Sequence, residues 1–233
     1  MADKTPKNMN LTNYKHIIWD WNGTLLNDLW LCLESVNAAL ARRGLAGLTE
    51  KQYQDEFDFP VIDFYRKVGF DFDKESFADL AHEYHAVYEP RWSECDLQIG
   101  ARDALEWLSA AGIGQSLLSA AHQSMLDACV KHFKLGPFFM AVLGARCNQA
   151  HGKVDEGRGW MEKLDCGPHD VLLVGDTTHD AEVARAIGAD CVLIESGHHR
   201  RDKLETCGVE VCDSLADLLS ERSNGSYHRV DHG

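Results

Sequence analysis

Five short apolar runs, separated by stretches of helical periodicity, set the tightest limit on what this chain can fold into. They are Lys15 to Asp20 (KHIIWD), Gly114 to Ala120 (GQSLLSA), Phe139 to Leu143 (FMAVL), Val171 to Gly175 (VLLVG) and Cys191 to Ile194 (CVLI). Near-continuous apolar strands of this length suit parallel pairing with both faces covered. Helical patterns lie between them: Ala101 to Ala111 before Gly112, His122 to Lys134 near Gly136, Gly157 to Leu164 before Gly167-Pro168, and Ala181 to Ile187 before Gly188. Such alternation requires right-handed crossovers, so the expected fold class is α/β, a doubly wound, Rossmann-like parallel sheet.

Between the first and second runs lies a stretch with helical stripes and no good strand. Leu29, Leu33, Val36 and Leu40 recur at helical spacing and stop at Gly44. Thr49 with Gln52 forms a capping box. Pro60 suits the first turn of a third helix, with Val61, Phe64, Tyr65 and Val68 on one face. Phe77, Leu80, Ala81, Tyr84 and Tyr88 stripe a fourth. The expected organisation is therefore a sheet domain from residues 14–27 and 96–220, an all-helical insertion at 28–95, and flexible tails at 1–13 and 221–233. The insertion's aromatic stripes are expected to form its own core.

Composition excludes several functions. With 23 Lys plus Arg against 37 Asp plus Glu, the formal net charge is −14, the wrong sign for a protein that neutralises nucleic-acid phosphates. A small phosphorylated substrate remains open, because one lysine, a metal ion and backbone N–H groups can handle its charge. No run approaches a bilayer span, and Met1 to Asn13 lacks the apolar stretch of a signal peptide. The eight cysteines form no C-x-x-C pair, so reduced thiols in a cytoplasmic protein are expected. His198-His199, followed by Arg200-Arg201, reads as a solvated loop. Oligomeric state leaves no mark in the sequence.

In an open parallel sheet, ligands bind outside the carboxyl ends of the strands. The first strand ends in Asp20-Trp-Asn-Gly-Thr24, the second in Leu118-Ser119-Ala120, and the fourth in Gly175-Asp176-Thr-Thr-His-Asp180, with Lys153 between the third and fourth. Three carboxylates at one edge repel unless a cation sits among them, and hard oxygen donors favour Mg²⁺. A carboxylate can attack phosphorus and split a hard step into two. Gly23 frees the backbone to approach phosphoryl oxygens, to which Thr24 and Ser119 can donate. Lys153 steadies both carboxylate and transferring group, and Asp176 and Asp180 can face one ion. Taken singly, each has an ordinary explanation as a helix cap, a turn former or a solvated charge; the order gives them force.

That order, D-x-[DN]-G-T, then Ser after an apolar strand, then Lys, then G-D-x-x-x-D, resembles the four motifs of the haloacid dehalogenase-like hydrolases. Val171 to Gly188 (VLLVGDTTHDAEVARAIG) is particularly similar to their phosphoglycolate phosphatase-like branch. The likeness runs from about Lys15 to Leu219. It implies that the insertion is a helical cap closing over the site. It also implies a Mg²⁺-dependent phosphatase that cleaves a small phosphorylated metabolite through an aspartyl phosphate on Asp20. Asp20, the backbone carbonyl of Asn22 and Asp176 would hold Mg²⁺, with Asp180 among or beside them. Ser119 and the Ala120 N–H would bind phosphate next to Lys153. A receiver-like signalling domain shares Asp, Ser/Thr and Lys on such a sheet, but the insertion and G-D-x-x-x-D do not suit it.

The chain departs from the pattern at Asn22, where the family's phosphatases usually carry an acid/base Asp. An amide can orient water, but it cannot give and take a proton as a carboxyl group does. Two alternatives stay open: a C–P or C–halogen hydrolase of the same superfamily, and a catalytically weak phosphate-binding or regulatory protein. Asp20-Trp-Asn-Gly-Thr24 also resembles the D-W-A-G-T of phosphonoacetaldehyde hydrolases, which use a cap lysine. Nothing marks Lys51, Lys67 or Lys74 as buried. Phe57, Phe59, Tyr65, Arg66 and His85 are the cap residues that could reach a substrate.

Overall fold

The computed structural model describes residues 10–145 and 152–220. In chain order, β1 (His16–Trp19) and β2 (Leu26–Asn27) precede α1 (Leu29–Arg42), α2 (Glu50–Glu56), α3 (Val61–Lys67) and α4 (Phe77–Tyr88). Then come β3 (Asp96–Leu97), α5 (Ala101–Ala110), β4 (Gly114–His122), α6 (Gln123–His132), β5 (Ala141–Ala145) and α7 (Lys153–Met161). The chain continues with β6 (Val171–Gly175), α8 (Thr178–Ile187), β7 (Asp190–Ile194), α9 (Arg201–Glu205), β8 (Glu210–Cys212) and α10 (Leu215–Ser220).

Six strands form one parallel sheet in the order β5-β4-β1-β6-β7-β8. The chain winds outward from β1 in one direction and resumes from β6 in the other. The loops that follow β1 and β6 therefore part, and a crevice opens between them at the carboxyl edge. β1 is buried along its whole length, as is β6, which explains why both read as unbroken apolar runs. β8 was not anticipated, because three residues at a sheet edge that include a glutamate leave no pattern to find.

Helix α7 begins at Lys153, earlier than Gly157, where the pattern had suggested a start. Gly157 sits inside the helix because a Cβ there would meet Ile187 at 3.1 Å and Leu118 at 3.2 Å. The missing side chain lets α7 pack tightly on α8 and β4. Helix α8 likewise starts at Thr178, with Thr177 and Asp180 closing a capping box.

The four helices α1–α4 lie between β2 and β3, which pair antiparallel so that both chain crossings form one ribbon. Thr49 and Gln52 complete the expected box at the start of α2. Arg43 clamps Glu75 and Glu83, joining the end of α1 to the α3–α4 connection and to α4. Leu31, Val36, Tyr53, Phe64, Leu80 and Tyr88 share one buried cluster with Trp21, Leu25 and Leu117 from the sheet domain.

The chain joins the folded body before residue 14: Leu11–Asn13 form a 3-10 turn, and Leu11 is fully buried. Residues 1–9 and 221–233, expected as tails, otherwise lie outside the described residues. Among the described residues, no helix is long and apolar enough to cross a membrane.

Candidate active site

The carboxyl edge gathers Asp20 from the end of β1, Ser119 and Ala120 from β4, Lys153 from the first turn of α7, and Asp176 and Asp180 around the β6–α8 turn. Lys153 Nζ donates to Asp20 Oδ1 at 2.5 Å and also to Asp180 Oδ1. Carboxylate oxygens of Asp20, Asp176 and Asp180 lie within 4.8 Å of one another, and all three residues are buried. One ammonium against three carboxylates leaves an excess of negative charge. Burial, reinforced by Asp180, pushes the Asp20 carboxyl up to about 6 against the pull of Lys153. Burial, reinforced by the other two carboxylates, pushes Asp176 up to about 8 against the pull of His198. For Asp180, burial is outweighed by Lys153 and by donors from Thr177, so it is held below the usual range.

A hard divalent cation fits this donor set, since it would supply the missing positive charge to oxygen ligands. The three carboxylates are not equivalent. Asp180 Oδ2 accepts from the N–H groups of Asp176 and Thr177 and from the Thr177 hydroxyl, while its Oδ1 takes Lys153. It braces the turn and the lysine. Asp20 and Asp176 keep more capacity toward an ion.

Two expected phosphate contacts face elsewhere. Thr24 is fully buried, and its hydroxyl donates to Asp176 Oδ1 at 2.7 Å. The Gly23 N–H goes to Asp28 Oδ1 at 2.9 Å. Thr24 thus orients carboxylates, and Gly23 has a steric task. Its φ is +76°, and a Cβ there would lie 2.3 Å from Asp176 Oδ2. Ser119 and Ala120 do line the cavity, with Asp20, Asn22 and Lys153. The Ser119 Oγ accepts from the Ala121 N–H at 3.0 Å.

His198 and His199 correct the expectation of a solvated loop, for both are buried. They follow β7 at the carboxyl edge, so the rule that found the other site residues applies to them too. The His198 N–H donates to Asp176 Oδ2 at 2.6 Å, and its Nε2 faces Asp28 Oδ1 at 3.6 Å. Burial alone would lower its pKa, but Asp28, Asp176 and Asp20 raise it to about 9. His199 is instead lowered to about 4, by burial and then Lys203. Its Nδ1 accepts from the Thr178 N–H at 3.1 Å, and its Nε2 donates to the Phe57 carbonyl at 2.9 Å. Gly197 is equally constrained, since a Cβ there would lie 2.1 Å from Asp176 Oδ2.

Asp28 is another residue the sequence did not single out. Fully buried where the chain enters α1, it accepts from Asn22 Nδ2 at 2.7 Å and from the Tyr88 hydroxyl at 2.7 Å. Asn22 Nδ2 reaches the Tyr88 oxygen as well, at 2.9 Å. Gln98, at the returning crossing, donates to the carbonyls of Gly23 and Ser196, each at 3.0 Å.

Phe57, Phe59, Tyr65 and His85 line the cavity; Arg66 is not among the described lining residues. Tyr53, Phe64, Tyr65 and Tyr88 are at once buried core and cavity wall, so the aromatic stripes do more than fill the insertion. Neither Lys51, Lys67 nor Lys74 lines the cavity, leaving no cap amine for a Schiff base among the described residues.

A carboxylate–lysine cluster at the switch point of a doubly wound sheet, roofed by inserted helices, defines an α/β enzyme whose site lies between the two layers. The chain belongs to the haloacid dehalogenase-like hydrolases, matching that family's model over residues 17–194. It is 25% identical to a phosphoglycolate phosphatase from Pseudomonas syringae pv. tomato, over 88% of this chain and 78% of that one. It is 26% identical to the tyrosine-protein kinase PtkA of Mycobacterium tuberculosis, over 87% of this chain and 69% of the other. A haloacid dehalogenase-like hydrolase from Streptococcus pneumoniae has the same fold, with a TM-score of 0.77 at 19% identity, covering 90% of this chain and 98% of that one.

Proposed function

We propose that the protein is a Mg²⁺-dependent phosphatase of the phosphoglycolate phosphatase-like branch, acting on a small phosphorylated metabolite through an aspartyl phosphate at Asp20. The observation that carries this reading is the buried Lys153 ammonium, held between Asp20 and Asp180 at the floor of a cavity. It fixes a charged carboxylate where a phosphoryl group can enter and neutralises charge as the group transfers. We assign residues 14–27 and 96–220 to the catalytic core and 28–95 to the cap.

A carboxylate oxygen of Asp20 attacks phosphorus, an O–P bond forms, and the ester P–O bond breaks toward the organic group. Ser119 and the Ala120 N–H hold the phosphoryl oxygens beside Lys153. Asp20, the Asn22 carbonyl and Asp176 would hold Mg²⁺, with Asp180 braced behind, and the ion would neutralise phosphoryl charge. Water then attacks the aspartyl phosphate, releasing phosphate and restoring the carboxylate. Asn22 supplies no proton in either step; its amide is bonded to Asp28 and Tyr88. The leaving oxygen therefore departs with little acid help, which favours leaving groups that are stable anions.

The test is rapid-quench trapping with a ³²P-labelled aryl phosphate, with and without EDTA. Acid-stable label on the wild type and none on Asp20→Asn is expected. Label retained by Asp20→Asn would overturn the assignment.

A further inference from the structure

We propose that the organic part of the substrate is an uncharged aromatic or similarly bulky apolar group, so that the natural substrate is a phosphate monoester of an apolar alcohol or phenol and not a phosphorylated acid. The inference rests on the phosphatase reading above and specifies its substrate class.

The cavity that begins at Asp20 and Lys153 has a volume of about 440 Å³ and continues between the cap helices. Its cap wall is built from Val36, Phe59, Val61, Phe64, Phe77 and Ala81. Of the four tyrosines that join them, three have their hydroxyls engaged elsewhere: Tyr53 with His198, Tyr84 with Cys32, and Tyr88 with Asp28. Those three offer a ligand ring surface, and Tyr65 adds a neutral hydroxyl, which can hydrogen-bond a ligand but cannot balance a charge. A dry cavity of roughly 150 Å³ accepts benzene, so this one has room for a phosphoryl group and at least one ring.

The charges point the same way. Among the described residues, Lys153 is the only lysine or arginine that lines the cavity, and its ammonium is committed to Asp20 and Asp180. His198 faces Asp28. His179 stacks on Phe59 at 4.6 Å and pairs with Glu182 at 3.3 Å. His122 caps α6 through Ser124. At the mouth, His85 Nδ1 lies 3.4 Å from Glu89, so that rim already carries a carboxylate. A second carboxylate on the substrate, such as that of phosphoglycolate, would enter an aromatic chamber where, among the described residues, the Lys153 and His198 cations are already paired with carboxylates, and an unpaired buried charge is strongly disfavoured. An aromatic group would instead exchange water for ring contacts.

Benzyl phosphate and phosphoglycolate are both primary alkyl phosphates, so comparing them isolates the organic group from leaving-group quality. With Mg²⁺ present, kcat/KM is expected to favour benzyl phosphate by roughly 10- to 100-fold, the scale set by burying a ring in an apolar pocket. Calorimetric titration with benzylphosphonate and phosphonoacetate measures the same preference without turnover. Val61→Arg, which adds a cation to the wall, is expected to shift both measurements toward the carboxylate ligand; melting curves establish that it folds. If Val61→Arg does not fold, the two wild-type comparisons decide the matter alone. Equal or better use of phosphoglycolate, or binding of phosphonoacetate as tight as benzylphosphonate, would overturn the inference and leave the phosphatase reading standing. Tight benzylphosphonate binding with no ester hydrolysed would overturn the phosphatase reading and support the cavity's preference. Binding of neither phosphonate would overturn the inference.

Discussion

Lys153 Nζ stands 2.5 Å from Asp20 Oδ1 across 133 residues of sequence, and the same ammonium holds Asp180. Removing it leaves buried carboxylates facing one another. Lys153→Met is expected to lower stability by about 3–5 kcal/mol, the usual penalty for breaking a buried ion pair, and to cut turnover by at least about 10³-fold. Millimolar Mg²⁺ should restore part of the stability and little of the turnover. Urea denaturation with and without Mg²⁺, beside steady-state kinetics, measures both.

Asp176 receives the Thr24 hydroxyl and the His198 N–H, which aim its carboxylate at the cluster. Bound Mg²⁺ at 100 times its Kd should stabilise the wild type by about 2.7 kcal/mol, and Asp176→Ala should lose this shift. Gly197→Ala should weaken it without touching the nucleophile, because the new methyl would displace the Asp176 carboxylate. Thermal melts over a Mg²⁺ series read out both variants. An unchanged shift in Asp176→Ala would remove that residue from the ion site.

Asn22 and Asp28 form a donor–acceptor pair at 2.7 Å, which changes what restoring the family's usual aspartate would do. Asn22→Asp alone places two carboxylates against each other, so one must stay protonated and the local structure loses stability. The exchange Asn22→Asp with Asp28→Asn keeps one amide and one carboxylate. It should be more stable than the single variant and raise benzyl phosphate hydrolysis by about 10²–10⁴-fold, the range of general acid–base help. In the wild type, phenyl phosphate should outpace benzyl phosphate, since both carry a ring and only the former is a good leaving group. Fast, equal hydrolysis of the two would mean that another group supplies the proton.

His16 is buried on β1, its Nε2 2.9 Å from the Ser116 hydroxyl, and burial lowers its pKa to about 4. Between that value and the ordinary one near 6.5, the unfolded chain binds a proton that the folded protein refuses. Through this group stability therefore falls as pH drops across the window, by on the order of 3 kcal/mol. His16→Gln should remove that share of the fall and leave the share set by His199, whose pKa is likewise lowered to about 4. Urea midpoints at pH 7.5, 6 and 5 for both proteins test it, and parallel pH dependences would refute it.

Much of the site was legible in the sequence because it sits at strand ends, and strands buried on both faces advertise themselves as apolar runs. Asp20, Ser119 and Asp176 each follow such a run within a residue or two. Lys153 was placed by its order in the chain. Asp28, Tyr88 and His198 were not singled out. Asp28 looks like any residue before a helix, Tyr88 like one member of a stripe, and His198 like part of a polar histidine–arginine loop. The roles of Gly23 and Thr24 were also unreadable, since an N–H or a hydroxyl donates to whatever acceptor the fold brings nearest.

The parallel sheet, the helical insertion and the carboxylates that crowd one edge could all be read from the chain of residues, because periodicity and strand-end position are local properties. Tertiary structure alone decided which charges neutralise which, and that the insertion's rings would wall a cavity. Those outcomes depend on groups brought within a few ångströms across more than a hundred residues, where burial strengthens every pairing and makes every missing partner unfavourable.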